Sequence, residues 1–244
     1  MSTISADTQV AALVLEQPSR ARVFERYGID YCCGGKTALG IACADRGLDL
    51  AVVIAALEEP VAAGADDVDW TSVPLTELCT HIVEQHHGYL REELPPLRQL
   101  VGKVARAHGG VHAELLDVQT TFDALADELE QHMVKEEQIL FPACVSLDEG
   151  TAAQFPFGSV ENPIRMMLHE HDEVAAGLAE LRALTGAYEP PADACNSYRA
   201  MLGRLETLER DTHRHVHEEN NILFPRAVAL EASIPAVPAH ARDL

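Results

Sequence analysis

The chain has 244 residues, 47% of them apolar, and a formal net charge of −21 at pH 7 from 39 acidic and 18 basic side chains. The apolar share supports a buried core and argues against wholesale disorder, and the charge argues against nucleic acid and anionic membrane surfaces as partners. No basic segment followed by a long apolar core opens the chain, and no apolar run reaches the ~18 residues of a membrane span, so a cytoplasmic protein is expected.

Residues 1–60 read as a small helical domain. Asp7 is placed to cap a first helix that runs through Glu16 and is stopped by Pro18, and Ser19 to cap a second that Gly28 ends. A glycine-flanked turn follows, Ile29-Asp30-Tyr31-Cys32-Cys33-Gly34-Gly35, and Thr37 and Asp49 are placed to cap two further helices. Helices this short are stable only when packed on one another. Residues 61–73, rich in Ala, Asp and Gly, lack periodicity and read as a linker.

Residues 74–232 carry four long amphipathic patterns with apolar residues at three-four spacing. They cover roughly 75–108, 113–141, 162–185 and 193–230, with Pro95-Pro96 expected to kink or divide the first. No alternating pattern of useful length suggests a strand. The fold expected is all-α, an up-down four-helix bundle behind the small N-terminal helical domain, with residues 233–244 as a C-terminal tail.

The bundle repeats one phrase. His132 to Pro142 reads HMVKEEQILFP and His215 to Pro225 reads HVHEENNILFP. In each, a His precedes a Glu by four residues, which places both on one helix face about 6 Å apart along the axis. Each phrase has a partner at similar distance upstream, His87 before His132 and His171 before His215. His86 also fits an apolar stripe, and the spacing favours His87. The set His87, His132, Glu136, His171, His215 and Glu219 thus interrupts buried seams with polar groups, an expensive arrangement unless something satisfies them. Four imidazoles and two carboxylates without thiolate suit iron or manganese in a dinuclear site better than tetrahedral zinc. Glu128 and Asp211 stand one turn before His132 and His215, where a carboxylate can orient an imidazole, and Glu170 adjoins His171. The remaining histidines lack such support; His213 and His217 share a face with charged residues and read as solvated.

Of the six cysteines, Cys79, Cys144 and Cys195 stand singly in helical patterns and read as small core residues. Cys32 and Cys33 differ. They occupy a turn expected to be exposed, near a helix start and Lys36, where a thiol pKa would be lowered. A vicinal pair suits transient redox exchange or capture of a soft metal better than a permanent bridge.

These residues carry a resemblance. His87, the His132/Glu136 pair, HEHDE around His171 and HxxxENNxLFPR from His215 are similar to a hemerythrin-like di-iron bundle. With YGIDYCCGGK (Tyr27 to Lys36) ahead of the bundle, nearly the whole chain resembles the iron-sulfur cluster repair di-iron proteins. The resemblance implies two non-haem iron ions, oxo- or hydroxo-bridged, held by the six residues with Glu136 and Glu219 bridging. It implies repair of iron-sulfur clusters damaged by nitric oxide or oxidants, by iron donation or nitric oxide chemistry. Reduction of nitric oxide is the enzymatic option, and nitric oxide or dioxygen binding without repair is the alternative. The partners it implies are damaged iron-sulfur proteins, nitric oxide or dioxygen as small ligands, and a second copy of the chain as an option.

Overall fold

The computed structural model describes residues 4–59, 68–151 and 154–234. Of the expected linker, residues 61–67 lie outside this range, as do residues 235–244 of the expected tail.

Four short helices open the chain: α1 (Val10–Glu16), α2 (Ala21–Tyr27), α3 (Leu39–Asp45) and α4 (Leu50–Glu58). They share a core of their own around Val10, Leu13, Phe24, Tyr31, Leu39, Val53 and Leu57. Gly28 ends α2 at φ +64°, a left-handed position that glycine adopts without a Cβ penalty. Of the four expected caps only Asp49 caps, accepting from the Ala51 amide at 2.9 Å. The starts of α1 and α3 instead lie side by side: the Val10 amide donates to the Thr37 carbonyl and the Leu39 amide to the Thr8 carbonyl. Backbone partners therefore satisfy amides that Asp7 and Thr37 were expected to serve. Ser19 sits within a 3₁₀ turn, Pro18–Arg20, that leads into α2.

Four helical rods follow. The first joins α5 (Leu75–Ile82), a π turn (Val83–His87) and α6 (Gly88–His108). The second joins α7 (Glu114–Lys135), a π turn (Glu136–Leu140) and α8 (Phe141–Asp148). The third is α9 (Glu161–Leu184), and the fourth joins α10 (Asn196–Glu218), a π turn (Glu219–Leu223) and α11 (Phe224–Ser233). Helix α7 packs on α6 and α9, and α10 on the same two, which closes an up-and-down bundle. Among the described residues no strand exceeds an isolated bridge, and no helix is long and apolar enough to cross a membrane.

Prolines shape the rods in two ways. Pro95 and Pro96 lie inside α6 without dividing it. Both are exposed, so the carbonyls that lose their amide partners face water. Pro142 and Pro225 each follow a π turn. Each ring removes the amide that would bond the carbonyl four residues earlier, and the widened turn takes up the change of register. The second rod consequently continues past its expected end near Phe141 to Asp148.

The bundle interior is three layers deep along its axis. One apolar cluster gathers Leu90, Leu94, Leu97, Phe122, Leu125, Leu178 and Leu205. A second gathers Leu78, Ile82, Leu140, Phe141, Cys144, Met167, Leu223 and Phe224. Each buried side chain of this size contributes roughly 1.5–3 kcal/mol of transfer free energy. Along the rods the repeat histidines fall at the border between the two clusters, His132 beside Leu129 and Met133 at the edge of the first. Cys79 and Cys144 are buried as expected, but Cys195 is exposed at the start of α10, where its Sγ lies 3.2 Å from His108 Nε2.

The N-terminal helices dock on the α10 side. His217 Nδ1 donates to the Tyr31 carbonyl at 3.1 Å, Asn221 Nδ2 to the Cys32 carbonyl at 3.2 Å, and Arg214 Nε to Glu25 Oε1 at 3.1 Å. His217 is therefore buried and His213 half-buried with its ring beside Tyr31, which corrects the solvated reading of both. A helix pattern alone does not reveal a face covered by a segment more than 180 residues away.

Candidate metal centre

Six side chains converge between the two apolar clusters. His87, Glu136, His215 and Glu219 each bring one ligand atom to within 4.8 Å of the others, and so do His132, Glu136, His171 and Glu219. The two groups share both carboxylates. Glu136 turns Oε2 to His87 Nε2 at 3.3 Å and Oε1 to His132 Nε2 at 3.2 Å. Glu219 turns Oε1 to His215 Nε2 at 3.0 Å and Oε2 to His171 Nε2 at 3.1 Å. One oxygen per group from each carboxylate is the arrangement of a bridging pair.

Local sequence explains the placement. His132 and Glu136, and His215 and Glu219, straddle the junction of α-helix and π turn, since each Glu is the first residue of its turn. His87 is the last residue of the third π turn. Such turns recur at functional sites because they re-aim side chains without breaking the helix. His171 projects from an unbroken α9.

The hydrogen bonds on the far side of the rings fix what the near side offers. His87 Nδ1 donates to Glu137 Oε1 at 2.6 Å, His132 Nδ1 to Glu170 Oε2 at 2.8 Å, and His171 Nδ1 to Asn220 Oδ1 at 2.7 Å. Carboxylate and amide oxygens only accept here, so Nδ1 carries a proton and, in the neutral ring, the Nε2 lone pair points inward. Yet Nε2 of His87 lies 3.2 Å from Nε2 of His215, and Nε2 of His171 lies 3.0 Å from Nε2 of His132. Lone pairs and carboxylate oxygens face one another in a buried space. Both oxygens of Glu136, and Oε2 of Glu219, are buried without a hydrogen-bond partner. Cations satisfy all of these atoms at once, so the residues fit a metal pair.

The electrostatics agree. Burial opposes charge on His132, but Glu136 and Glu170 outweigh it and raise its pKa to about 10. Burial likewise opposes ionisation of Glu219, but His215 and His171 hold its carboxyl well below the usual range. Glu170 is held down at about 2 by His132, against burial, with Lys135 adding to the effect. His215 differs: burial keeps its pKa low, and its Nδ1 has no partner. An anionic hole lined by imidazoles attracts either protons or metal.

Expected positioning residues fare unevenly. Glu170 orients His132. Glu128 does not; burial, and after it the neighbouring Glu173, raise its pKa. Asp211 orients not His215 but His86, with Oδ1 at 3.1 Å from His86 Nδ1. A carboxylate one turn before a histidine points along the helix, whereas the far nitrogen of an inward ring faces the neighbouring rod. Glu137 and Asn220 were missed, although the repeat carries the signal: both follow the repeated Glu directly and both reach the lone upstream histidine of a different rod. Cys32 and Cys33 come close to the centre. Cys33 Sγ lies 3.6 Å from the His171 carbonyl and 3.9 Å from Asn220 Nδ2. Cys32 is buried, and Cys33, burial and Asp30 together raise its thiol pKa, which corrects the expectation of an exposed, acidified thiol at Cys32.

Removing an orienting carboxylate should weaken metal binding without emptying the pocket. Glu170→Gln and Glu137→Gln are each expected to cost about 10–100-fold in metal affinity. Competition with a chelator of known affinity measures this; wild-type affinity in both variants would refute it.

Comparison with known proteins assigns both parts of the chain. Residues 79–227 match the model of the hemerythrin HHE cation-binding domain, and residues 6–61 match ScdA_N, described as a domain of unknown function. The chain is 36% identical over 226 residues to the iron-sulfur cluster repair protein YtfE of Musicola paradisiaca, covering 93% of this chain and 98% of that one. It is 37% identical over 229 residues to YtfE of Escherichia coli O81, covering 92% and 98%. A probable iron-sulfur cluster repair protein of Haemophilus influenzae is 35% identical over 225 residues, covering 91% and 97%. With a cation-binding bundle matched over more than half its length and full-length relatives of this kind, the chain belongs to the hemerythrin-like family of iron-sulfur cluster repair proteins.

Proposed function

We propose that this protein repairs iron-sulfur clusters damaged by nitrosative or oxidative stress, using a non-haem di-iron centre held by His87, His132, Glu136, His171, His215 and Glu219. The observation that carries the reading is the sharing of Glu136 and Glu219 between two groups of four ligands. The names of full-length relatives support the repair activity. When bound, iron supplies a redox couple and exchangeable positions for small ligands. The protein's own residues do the rest. Glu137, Glu170 and Asn220 hold three rings in the tautomer that presents Nε2. Phe141 and Phe224, stacked against His87 and His171, exclude water from one end of the pocket. The docked turn brings Cys33 to the His171 backbone, where a thiol is placed to pass iron or electrons.

Reactivation of a dehydratase whose [4Fe–4S] cluster has been damaged by nitric oxide tests the proposal. Reduced, iron-loaded wild type should restore activity, and Glu136→Leu should not. Equal restoration by both, or by neither, would overturn it; stoichiometric nitric oxide capture without restoration would favour a binding protein.

A further inference from the structure

The two halves of the bundle are not equivalent beyond the six repeat residues. Glu170, just before His171, orients His132. Its counterpart just before His87 is His86, and His86 faces His215 with rings parallel, 5° apart in plane and 5.2 Å between centroids. The ring does not bond His215, whose Nδ1 is left without a partner. His86 turns instead to a set of polar residues of its own.

Asp211 Oδ1 lies 3.1 Å from His86 Nδ1, which places a proton there and leaves Nε2 as the nitrogen that can give a lone pair to a cation in place of a proton. That Nε2 lies 3.6 Å from Glu218 Oε2, and His81 Nε2 lies 3.3 Å from the same oxygen. The oxygen is buried and makes no hydrogen bond of acceptable geometry. The three ligand atoms fall within 4.8 Å of one another. A cation bound at about 2.0–2.2 Å to imidazole and carboxylate sets neighbouring ligand atoms about 3–3.5 Å apart, close to these spacings. The ring of His81 is stacked on Trp70 at 3.9 Å, which fixes its direction. All three residues border a cavity of about 450 Å³ between the N-terminal helices and the bundle.

We propose that His81, His86 and Glu218 form a third, mononuclear site for a first-row divalent cation, with Asp211 orienting His86 and an open coordination position facing the cavity. Two imidazoles and one carboxylate suit iron(II), cobalt(II) or zinc(II). The stack of His86 on His215 sets this site directly beside the proposed dinuclear centre, and it serves as a waystation for iron entering or leaving. The site stands on its own geometry; its use as a waystation rests on the di-iron reading.

Cobalt(II) titration of the iron-loaded protein tests it, with bound cobalt followed by its visible absorption and retained iron by elemental analysis. Wild type should take up a single further equivalent of cobalt(II) while keeping its iron. His81→Phe, which retains the stack on Trp70, and Glu218→Gln should each weaken that uptake about 10-fold or more, with iron content unchanged. Release of iron to an external chelator should slow in both variants. No cobalt uptake beyond the iron already held, or uptake unaffected by both substitutions, overturns the site. Normal iron release from variants that no longer bind cobalt overturns the waystation. Failure of the di-iron reading would show separately, as an iron content unlike two per chain while cobalt uptake still depends on His81 and Glu218.

Discussion

Replacing Glu136 with Leu should empty both metal positions, while replacing His87 with Phe should empty chiefly one. Glu136 offers Oε2 to the group containing His87 and Oε1 to the group containing His132, so its loss removes a ligand from each. His87 belongs to one group alone. Iron analysis after reconstitution should give about two ions per chain for wild type, near none for Glu136→Leu and about one for His87→Phe, since each ligand supports its own ion. Thermal unfolding gives a second measure. A ligand that binds only the folded state stabilises it by about 4 kcal/mol at a thousand times its Kd, which is on the order of 10 °C for a domain of this size. Added iron(II) should therefore raise the midpoint of wild type and leave that of Glu136→Leu unmoved. Equal loss of iron in the two variants would show that the carboxylates do not bridge.

Helical periodicity and the duplicated phrase make the bundle and its six inward side chains legible in one dimension. The spacing of four residues within a helix fixes a shared face, and doubling the pattern marks that face as more than a solvated stripe. What lies between rods is harder to read. Glu170 reaches His132 and Asp211 reaches His86 across helix pairs, and no local period encodes such a contact. Glu137 and Asn220 could have been found, because both occupy the same position after the repeated Glu. The burial of His217 and Cys32 depends on where one group of helices docks on another, a matter of surface complementarity rather than periodicity. The caps of α1 and α3 eluded the reading for a related reason: Thr8 and Thr37 contribute their backbone carbonyls, and backbone has no residue code.

Substituting both Cys32 and Cys33 with Ser should leave iron content at the wild-type level and abolish cluster repair. The turn that presents them does not depend on sulfur. Asp30 holds it, with Oδ1 accepting from the amides of Cys32 and Cys33 at 2.8 and 3.1 Å and Oδ2 from the Gly34 amide at 2.8 Å. Serine keeps those amides and nearly the same volume, so docking through the Tyr31 and Cys32 carbonyls survives. Chemistry is what changes. The two Sγ atoms lie 3.8 Å apart as free thiols, and Cys33 touches Asn220, whose Oδ1 accepts from His171 Nδ1 at 2.7 Å. A thiol at that point is linked through one side chain to a candidate ligand, and a hydroxyl there neither exchanges electrons nor binds iron comparably. The hydrogen bond with Cys33, burial and then Asp30 keep the Cys32 thiol protonated, and Cys33 is the less buried of the two, so Cys33 is the sulfur expected to react first. Cys33→Ser alone should therefore lose most of the repair activity, and Cys32→Ser should lose less. Unchanged repair by the double variant in the dehydratase assay would remove the pair from the mechanism and leave the bundle to act without it.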